Sequence, residues 1–395
     1  MRAVLVNHCH PETPHVCAVR AREFAGALAR RGHDIVLLTE TLHPGDVAEP
    51  PSSVRDRIRG RTPGEPLRIA CRPEGHALLR RMREGRLPAP LSKAVAATSY
   101  LVRWSVFPDW GAGAARYRDV IAGTFAPDVV WATFGNTEAL HIARALSERC
   151  GCPWVLDVKD YWSTFVPAPF RHRLGRRFSD AAAMTALSRG HLKDIAPFVP
   201  GPGTVVYSGI PRSLAEGSRA PVSANTIMIV GAIYDRRALA DLVDGIARWS
   251  AGRATLRYAG GQGDAVAQAV AAAGNALRFE DLGYLPLDDL HRRQCTAFAN
   301  AFVRSGPGWF QHKVPELIAA GRPILCMPGA GEESAGMARS AGIPFFNCAS
   351  AAEVDAALRS VDARAELRPK PGALDRFTWD RRAEDLERVL LSAIG

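Results

Sequence analysis

Short apolar runs punctuate the chain, each ending in Gly, Pro or a polar residue. In the first half they are RAVLVN (2–7), DIVLLT (34–39), DVVWATF (128–134), WVLDV (154–158), AAMTALS (182–188) and TVVYSG (204–209). In the second half they are TIMIVG (226–231), TLRYAG (255–260), LRFEDLG (277–283), FANAFV (298–303), PILCMP (323–328) and IPFFNC (343–348). Runs of this length, apolar throughout, predict strands buried on both faces. Helix-like stretches separate them, which implies right-handed crossovers and parallel sheets. Each half therefore reads as a doubly wound α/β domain. The boundary falls in SGIPRSLAEGSRAPVSA (208–224), rich in Ser, Pro, Gly and Ala. The predicted domains are 1–212 and 213–375, with 376–395 as a closing amphipathic helix carrying Leu386, Leu390 and Ile394 at four-residue spacing.

Length supports the division, since 395 residues exceed what one core usually organises. Apolar residues make up 47%, enough for two cores. Neither a signal-peptide pattern nor a run long enough to span a bilayer is found, so a cytoplasmic protein is expected. The eight Cys are scattered, several in apolar runs, which fits reduced thiols rather than a disulfide framework.

Net charge is +10, and its excess is local. Residues 55–93 hold eleven Lys or Arg against Asp56, Glu65, Glu74 and Glu84, a surplus of +7. Such a patch suits anionic lipid, a phosphorylated substrate or nucleic acid, or is simply a solvated face. The segment contains no Phe, Tyr or Trp for base stacking.

The first turn, VNHCHPETPHVC (6–17), gathers side chains that bind zinc: His8, Cys9, His10, Glu12, His15 and Cys17. Periodicity tells against a metal. Thr13 and Pro14 predict a helix start, and Cys17, Ala21, Phe24 and Leu28 then form one buried stripe ended by Gly32. That sends Cys17 to the core, and no second ligand pair completes a site. What remains is a loop at the carboxyl end of a strand, where open α/β sheets bind ligands. The helix start attracts anions, with His10, Thr13 and His15 nearby. A nicotinamide or flavin site needs GxGxxG here, and the turn has no Gly.

The second half holds two anion-binding pieces. VGAIYDRRALADLVDGI starts at Val230 and places Arg236 and Arg237 at a helix start, a diphosphate clamp or two surface arginines. SGPGWFQHKVPELIAAGRPILCMPG (305–329) sets Lys313 three residues before Glu316. A lysine for phosphate and a carboxylate for ribose hydroxyls suit a nucleotide, although an i,i+3 surface pair has the same spacing.

With these motifs in order, the chain resembles the GT-B glycosyltransferases, in particular the retaining nucleotide-sugar transferases of bacterial polysaccharide and lipid glycosylation. RAREFAGALARRGHDIVLLT (20–39), PDVVWATFGNTEALHIARAL with CPWVLDVKDYW (127–162), KVPELIAAGRPIL (313–325) and FTWDRRAEDL (377–386) carry the resemblance over nearly the full length. It implies two doubly wound Rossmann-like domains facing across a cleft, with the closing helix packing back toward the first domain. It implies a donor nucleotide on the second: Glu316 on ribose, Arg236, Arg237 and Lys313 on diphosphate, Gly231 allowing close approach, and the base near Gly283, Tyr284 and Leu285. It implies an acceptor on the first domain near His10, Asp157, Asp160 and the basic segment, reached by transfer with retention and without a metal. The chain departs from the pattern twice: HPETP replaces a glycine pair in the first turn, and Gly308 stands where many members have a second glutamate.

Asp157, Asp160 and His10 are the candidate catalytic residues, with a local pairing of Asp157 to Lys159 or Arg171 as the alternative. The expected partners are a nucleotide-sugar donor, a glycan, lipid-linked or small-molecule hydroxyl acceptor, and an anionic inner-membrane surface, with no nucleic acid. No cofactor is expected. Two rival readings share the pattern: a non-hydrolysing sugar-nucleotide 2-epimerase, and a basic binding protein without activity.

Overall fold

The computed structural model describes residues 1–395 other than 14, 44, 217–221, 275–276, 305–309, 330 and 362–366. The chain forms two compact units, one of Met1–Tyr207 with Trp379–Gly395, the other of Ser208–Thr378. The sequence reading set its divisions at 212 and 375.

In the first unit seven parallel strands lie in the order β3-β2-β1-β4-β5-β6-β7: β1 Arg2–Val6, β2 Asp34–Glu40, β3 Leu67–Cys71, β4 Val129–Phe134, β5 Trp154–Val158, β6 Ala183–Ala186 and β7 Gly203–Val205. The chain winds outward from β1 to β3, then returns to place β4 on the other side of β1. The topological switch point is thus between β1 and β4, and ligand loops in such sheets gather at its carboxyl side. Pleat alternation divides the core. Val4, Val6, Val130 and Ala132 face Trp110, Tyr117 and Leu140, whereas Ala3, Leu5 and Trp131 face Phe24, Leu28 and Leu386. β3 was not anticipated. It is an edge strand with only Ile69 and Cys71 buried, and Arg68 and Arg72 break up its apolar pattern.

The first helix, Val16–Arg30, buries Cys17, Ala21, Phe24 and Leu28, as its spacing predicts, and Gly32 follows at φ 87. The last helix, Trp379–Ile394, lies along it. Its buried positions are Trp379, Ala383, Leu386 and Leu390, whereas Ile394 is exposed, so the stripe runs one turn earlier than its leucines alone suggest. Trp379 meets Phe24 edge to face at 5.3 Å. At the rim Glu387 accepts from Arg31 at 2.6 Å and contacts His33 at 2.5 Å.

In the second unit six parallel strands lie in the order β10-β9-β8-β11-β12-β13: β8 Thr226–Val230, β9 Thr255–Ala259, β10 Arg278–Asp281, β11 Ala299–Val303, β12 Ile324–Met327 and β13 Phe345–Asn347. Its switch point lies between β8 and β11. Ile227 and Ile229 pack against Leu239, Leu242 and Ile246 of the helix Arg236–Ser250.

Candidate functional site

At the switch point of the second unit, β8 ends at Val230 and the chain turns through Gly231 at φ 87. Lys313 reaches back to donate to the Val230 carbonyl at 3.1 Å. A Cβ on Gly231 would lie 2.1 Å from the Lys313 Nζ, so any side chain there is strained by the backbone angle and displaces the ammonium beside it. The neighbouring loops are tied in. Tyr258 donates its hydroxyl to the Gly231 carbonyl at 3.0 Å, and Gly260 donates its N–H to the Gly283 carbonyl at 2.9 Å. The Gln262 side chain brackets Ile233, donating to its carbonyl at 3.0 Å and accepting from its N–H.

Lys313 and Glu316 stand one turn apart at the start of the short helix Val314–Ala319, both half-buried. Burial lowers Lys313 to about 8 against the pull of Glu316. Burial likewise raises Glu316 to about 7 against Lys313. Among the described residues, no hydrogen bond or ion pair occupies the Glu316 carboxylate. Arg236 and Arg237 are exposed at the first two positions of their helix, whose cap is Asp235, accepting from the Ala238 N–H at 2.9 Å. Neither arginine has an acidic partner among the described residues. Tyr284 is 85% exposed, beyond Gly283, and its hydroxyl would sit 2.6 Å from a Cβ on Gly261; Leu285 is half-buried. The Gly260–Gly261–Gln262 turn went unnoticed in the sequence, although its glycine pair directly after a strand was a usable signal. Gly308, the departure from the two-glutamate pattern, lies outside the described residues.

In the first unit the loops after β1, β4 and β5 converge. The helix cap is His15, whose ring accepts from the Cys17 N–H at 3.2 Å. This corrects the assignment of that role to Thr13, which instead turns the loop by donating to the His10 carbonyl at 3.0 Å; Pro14 lies outside the described residues. The sequence reading also turned Cys17 away from the loop. Cys17 is buried, yet its sulfur faces Cys9 and His15, all three ligand atoms lying within 4.8 Å of one another. Lys159, a residue sequence reasoning did not select, donates to the Cys17 sulfur at 2.6 Å and to the Asp160 carboxylate at 3.1 Å. The hydrogen bond from Cys9, joined by the charges of Lys159 and His15, holds the Cys17 thiol well below its ordinary range despite burial. Burial raises Asp160, with Lys159 opposing. His10 is half-buried, lowered by that burial, and its Nδ1 accepts from the Glu12 N–H at 3.3 Å.

Asp157 is not in this group. It is wholly enclosed, its carboxylate gripped by Arg20 at 2.8 and 3.1 Å and by the Thr185 hydroxyl at 2.7 Å. Neither local partner foreseen for it, Lys159 or Arg171, is the one used. A carboxylate with both oxygens engaged inside the core orders the sheet and has no access to an acceptor hydroxyl.

Comparison with solved structures places the architecture. Anabaena HepE in complex with UDP and glucose superposes with TM-score 0.65 at 14% identity, over 99% of this chain and 100% of that one. The chain has the GT-B fold. A Rickettsia africae glycosyltransferase matches with TM-score 0.64 at 10% identity, over 100% of this chain and 98% of that one. The UDP-GlcNAc 2-epimerase of Methanocaldococcus jannaschii matches with TM-score 0.56 at 9% identity, over 99% and 100%. At such identities the likeness is one of fold, and it spans transferases and epimerases alike. No protein-family model and no curated protein matches the sequence.

Proposed function

We propose that this GT-B chain transfers a sugar from a nucleoside-diphosphate donor to a hydroxyl acceptor with retention of configuration. One observation carries the reading: Lys313 and the unoccupied carboxylate of Glu316 are held together at the switch point of the second unit, beside the bare backbone of Gly231. Lys313, Arg236 and Arg237 stabilise the leaving diphosphate electrostatically, which needs no metal. Glu316 accepts from ribose hydroxyls, and Gly283, Tyr284 and Leu285 border the base. UDP is the first nucleotide to try, because the HepE structures hold UDP and UDP-glucose. In the first unit Asp160 and His10 remain as groups able to receive the acceptor proton, whereas Asp157 does not.

The test is calorimetry or thermal shift of the full chain with UDP, GDP, ADP, TDP and CMP sugars. Donor at a hundred times its dissociation constant stabilises the native state by about 2.7 kcal/mol. Glu316→Ala abolishes the shift if the site is right. Incubation with the UDP-sugar alone separates the rival chemistry: epimerised sugar without acceptor would overturn the transferase reading.

The acceptor side fits a lipid-linked or cell-surface glycan made at an inner membrane face. The helices Ala77–Arg83 and Ala89–Arg103 contain no acid. They expose Leu78, Leu91, Leu101 and Val102, the last two 66% and 65% exposed, beside Arg81, Lys93 and Arg103. Apolar side chains among cations suit an anionic lipid surface. No helix among the described residues is long and apolar enough to cross a membrane, and the contact proposed is a peripheral one. Equal co-sedimentation with neutral and anionic vesicles would discard this part.

A further inference from the structure

The loop after β1 holds donors that the transfer chemistry does not use. Cys9 leaves the strand end, His15 caps the first helix and Cys17 lies on its first turn. The Cys9 sulfur is 3.8 Å from His15 Nδ1, and all three ligand atoms fall within 4.8 Å of one another. In a tetrahedral zinc site with metal–sulfur bonds of about 2.3 Å and metal–nitrogen bonds of about 2.0 Å, neighbouring ligand atoms are roughly 3.5–3.8 Å apart. The three donors are therefore close to coordinating distance before any metal arrives.

We propose that Cys9, His15 and Cys17 bind one divalent cation of the zinc class at the carboxyl end of β1, fixing the His8–His15 loop. Two thiolates and an imidazole select zinc or cobalt over magnesium or calcium, which prefer oxygen. The surroundings fit that role. Lys159 donates an N–H to the Cys17 sulfur, as outer groups do to metal-bound thiolates. Asp160 offsets the charge of Lys159, so the cation's charge is met by the two thiolates that binding itself creates. Gly135, in the loop after β4, packs against the same group: a Cβ there would make ordinary contact, 3.7 Å, with both the Cys17 sulfur and an Asp160 oxygen. Asn7 fixes the loop backbone, donating to the carbonyls of Cys9 and Cys17 at 3.1 and 3.3 Å. Binding forms two metal–sulfur bonds and one metal–nitrogen bond. The aquo ion gives up waters, each thiol proton passes to solvent, and the His15 lone pair moves from the Cys17 N–H to the metal. The fourth position is left to water. The site borders Asp160 and His10, but metal binding is read without any sugar donor or acceptor, so the two proposals can hold or fail separately.

The test uses the full chain, reduced and stripped of metal, titrated with Co²⁺ alone. The expected result is a thiolate-to-cobalt charge-transfer band that saturates at one ion per chain and is reversed by Zn²⁺. Cys9→Ser abolishes the band, and because Cys9 is only half-buried that variant tests the site with little risk to folding. His15→Asn retains a good helix cap while removing the nitrogen donor, and weakens binding by more than the roughly ten- to hundred-fold typical of losing an outer-shell group. Cys150→Ser, which breaks up the other close thiol pair, leaves the band intact. Absence of the band in the wild type, wild-type binding by Cys9→Ser, or loss of the band in Cys150→Ser would each overturn the proposal. So would recovery of two thiols only after reductant, which would make Cys9 and Cys17 a disulfide pair.

Discussion

Arg20 and Asp157, 137 positions apart, meet in two hydrogen bonds of 2.8 and 3.1 Å in the core of the first unit. Their side chains are 1% and 0% exposed. The guanidinium also donates to the Val206 carbonyl at 3.0 Å and lies over the Phe24 ring at 4.9 Å. The pair ties the first helix to β5 and to the segment after β7.

Removing one partner of such a pair leaves a buried charge uncompensated, at a cost of about 3–5 kcal/mol. Asp157→Asn is expected to lower the unfolding free energy of the first unit by about that amount, and its denaturation midpoint accordingly, while nucleotide binding by the second unit persists. Denaturant titration beside calorimetry with UDP checks it. A variant of wild-type stability that loses only turnover would show that Asp157 acts in catalysis after all.

Gly231 allows a second, sharper test. Its φ of 87 and the 2.1 Å approach of the Lys313 Nζ to any added Cβ make alanine doubly unfit. Gly231→Ala is expected to push the ammonium off the Val230 carbonyl and cut nucleotide affinity at least about tenfold, near 1.4 kcal/mol. Gly283→Ala is the contrast: its φ is also positive, at 59, but nothing lies within 4 Å of an added Cβ. Backbone strain alone gives a smaller loss there. Equal losses in the two variants would remove Lys313 from the argument.

Much of this was legible because the strands are buried on both faces, so apolar runs alone locate them. β3 was missed where that condition fails, at a sheet edge with arginines at 68 and 72. Lys313, Glu316 and Gly231 were legible because one helical turn and one strand end fix their spacing. The partner of Asp157 was not, since no local pattern links position 157 to position 20. Nor was the direction of the Cys17 sulfur: helical periodicity says that a residue faces inward, and it does not say which neighbours meet it there. The His15 cap was hidden because Thr13 is the better capping residue by type, yet the chain makes one more turn before the helix begins.

Glu138 makes the first unit sensitive to pH. It is buried at the start of the helix Thr137–Cys150, with an oxygen so near Gly111 that a Cβ there would lie 1.9 Å from it. Burial, with the charge of Asp109, raises its carboxyl from 4.5 to about 7. A carboxyl raised in the folded state favours folding below its unfolded pKa, and that contribution disappears as pH rises through about 7. A shift of this size is worth on the order of 3 kcal/mol. Glu138→Gln should therefore be more stable than wild type at about pH 8, with the gap closing at about pH 4.5. His141, lowered to about 4 by burial, titrates in the acid window in both proteins and cancels from the difference. Denaturant midpoints of the two proteins at both pH values decide the matter, and a gap independent of pH would rule out Glu138 as its source.

The proposed donor site should show a pH dependence of its own. Lys313, lowered to about 8, loses its charge as pH rises through that value, and a diphosphate then loses its ammonium partner. Glu316, raised to about 7, is protonated as pH falls below that value, and ribose hydroxyls then lose an ionised acceptor. The two groups lie close enough to titrate as a pair, so the apparent values belong to both. Affinity for UDP is expected to peak between about pH 7 and pH 8 and to fall on either side. Lys313→Ala should remove the alkaline limb and weaken binding by about ten- to a hundred-fold, the 1.5–3 kcal/mol of a hydrogen bond to a charged group. Glu316→Gln should remove the acid limb and leave the alkaline one. Calorimetry across that pH range reads each limb separately, and a flat profile in the wild type would mean that neither side chain touches the nucleotide.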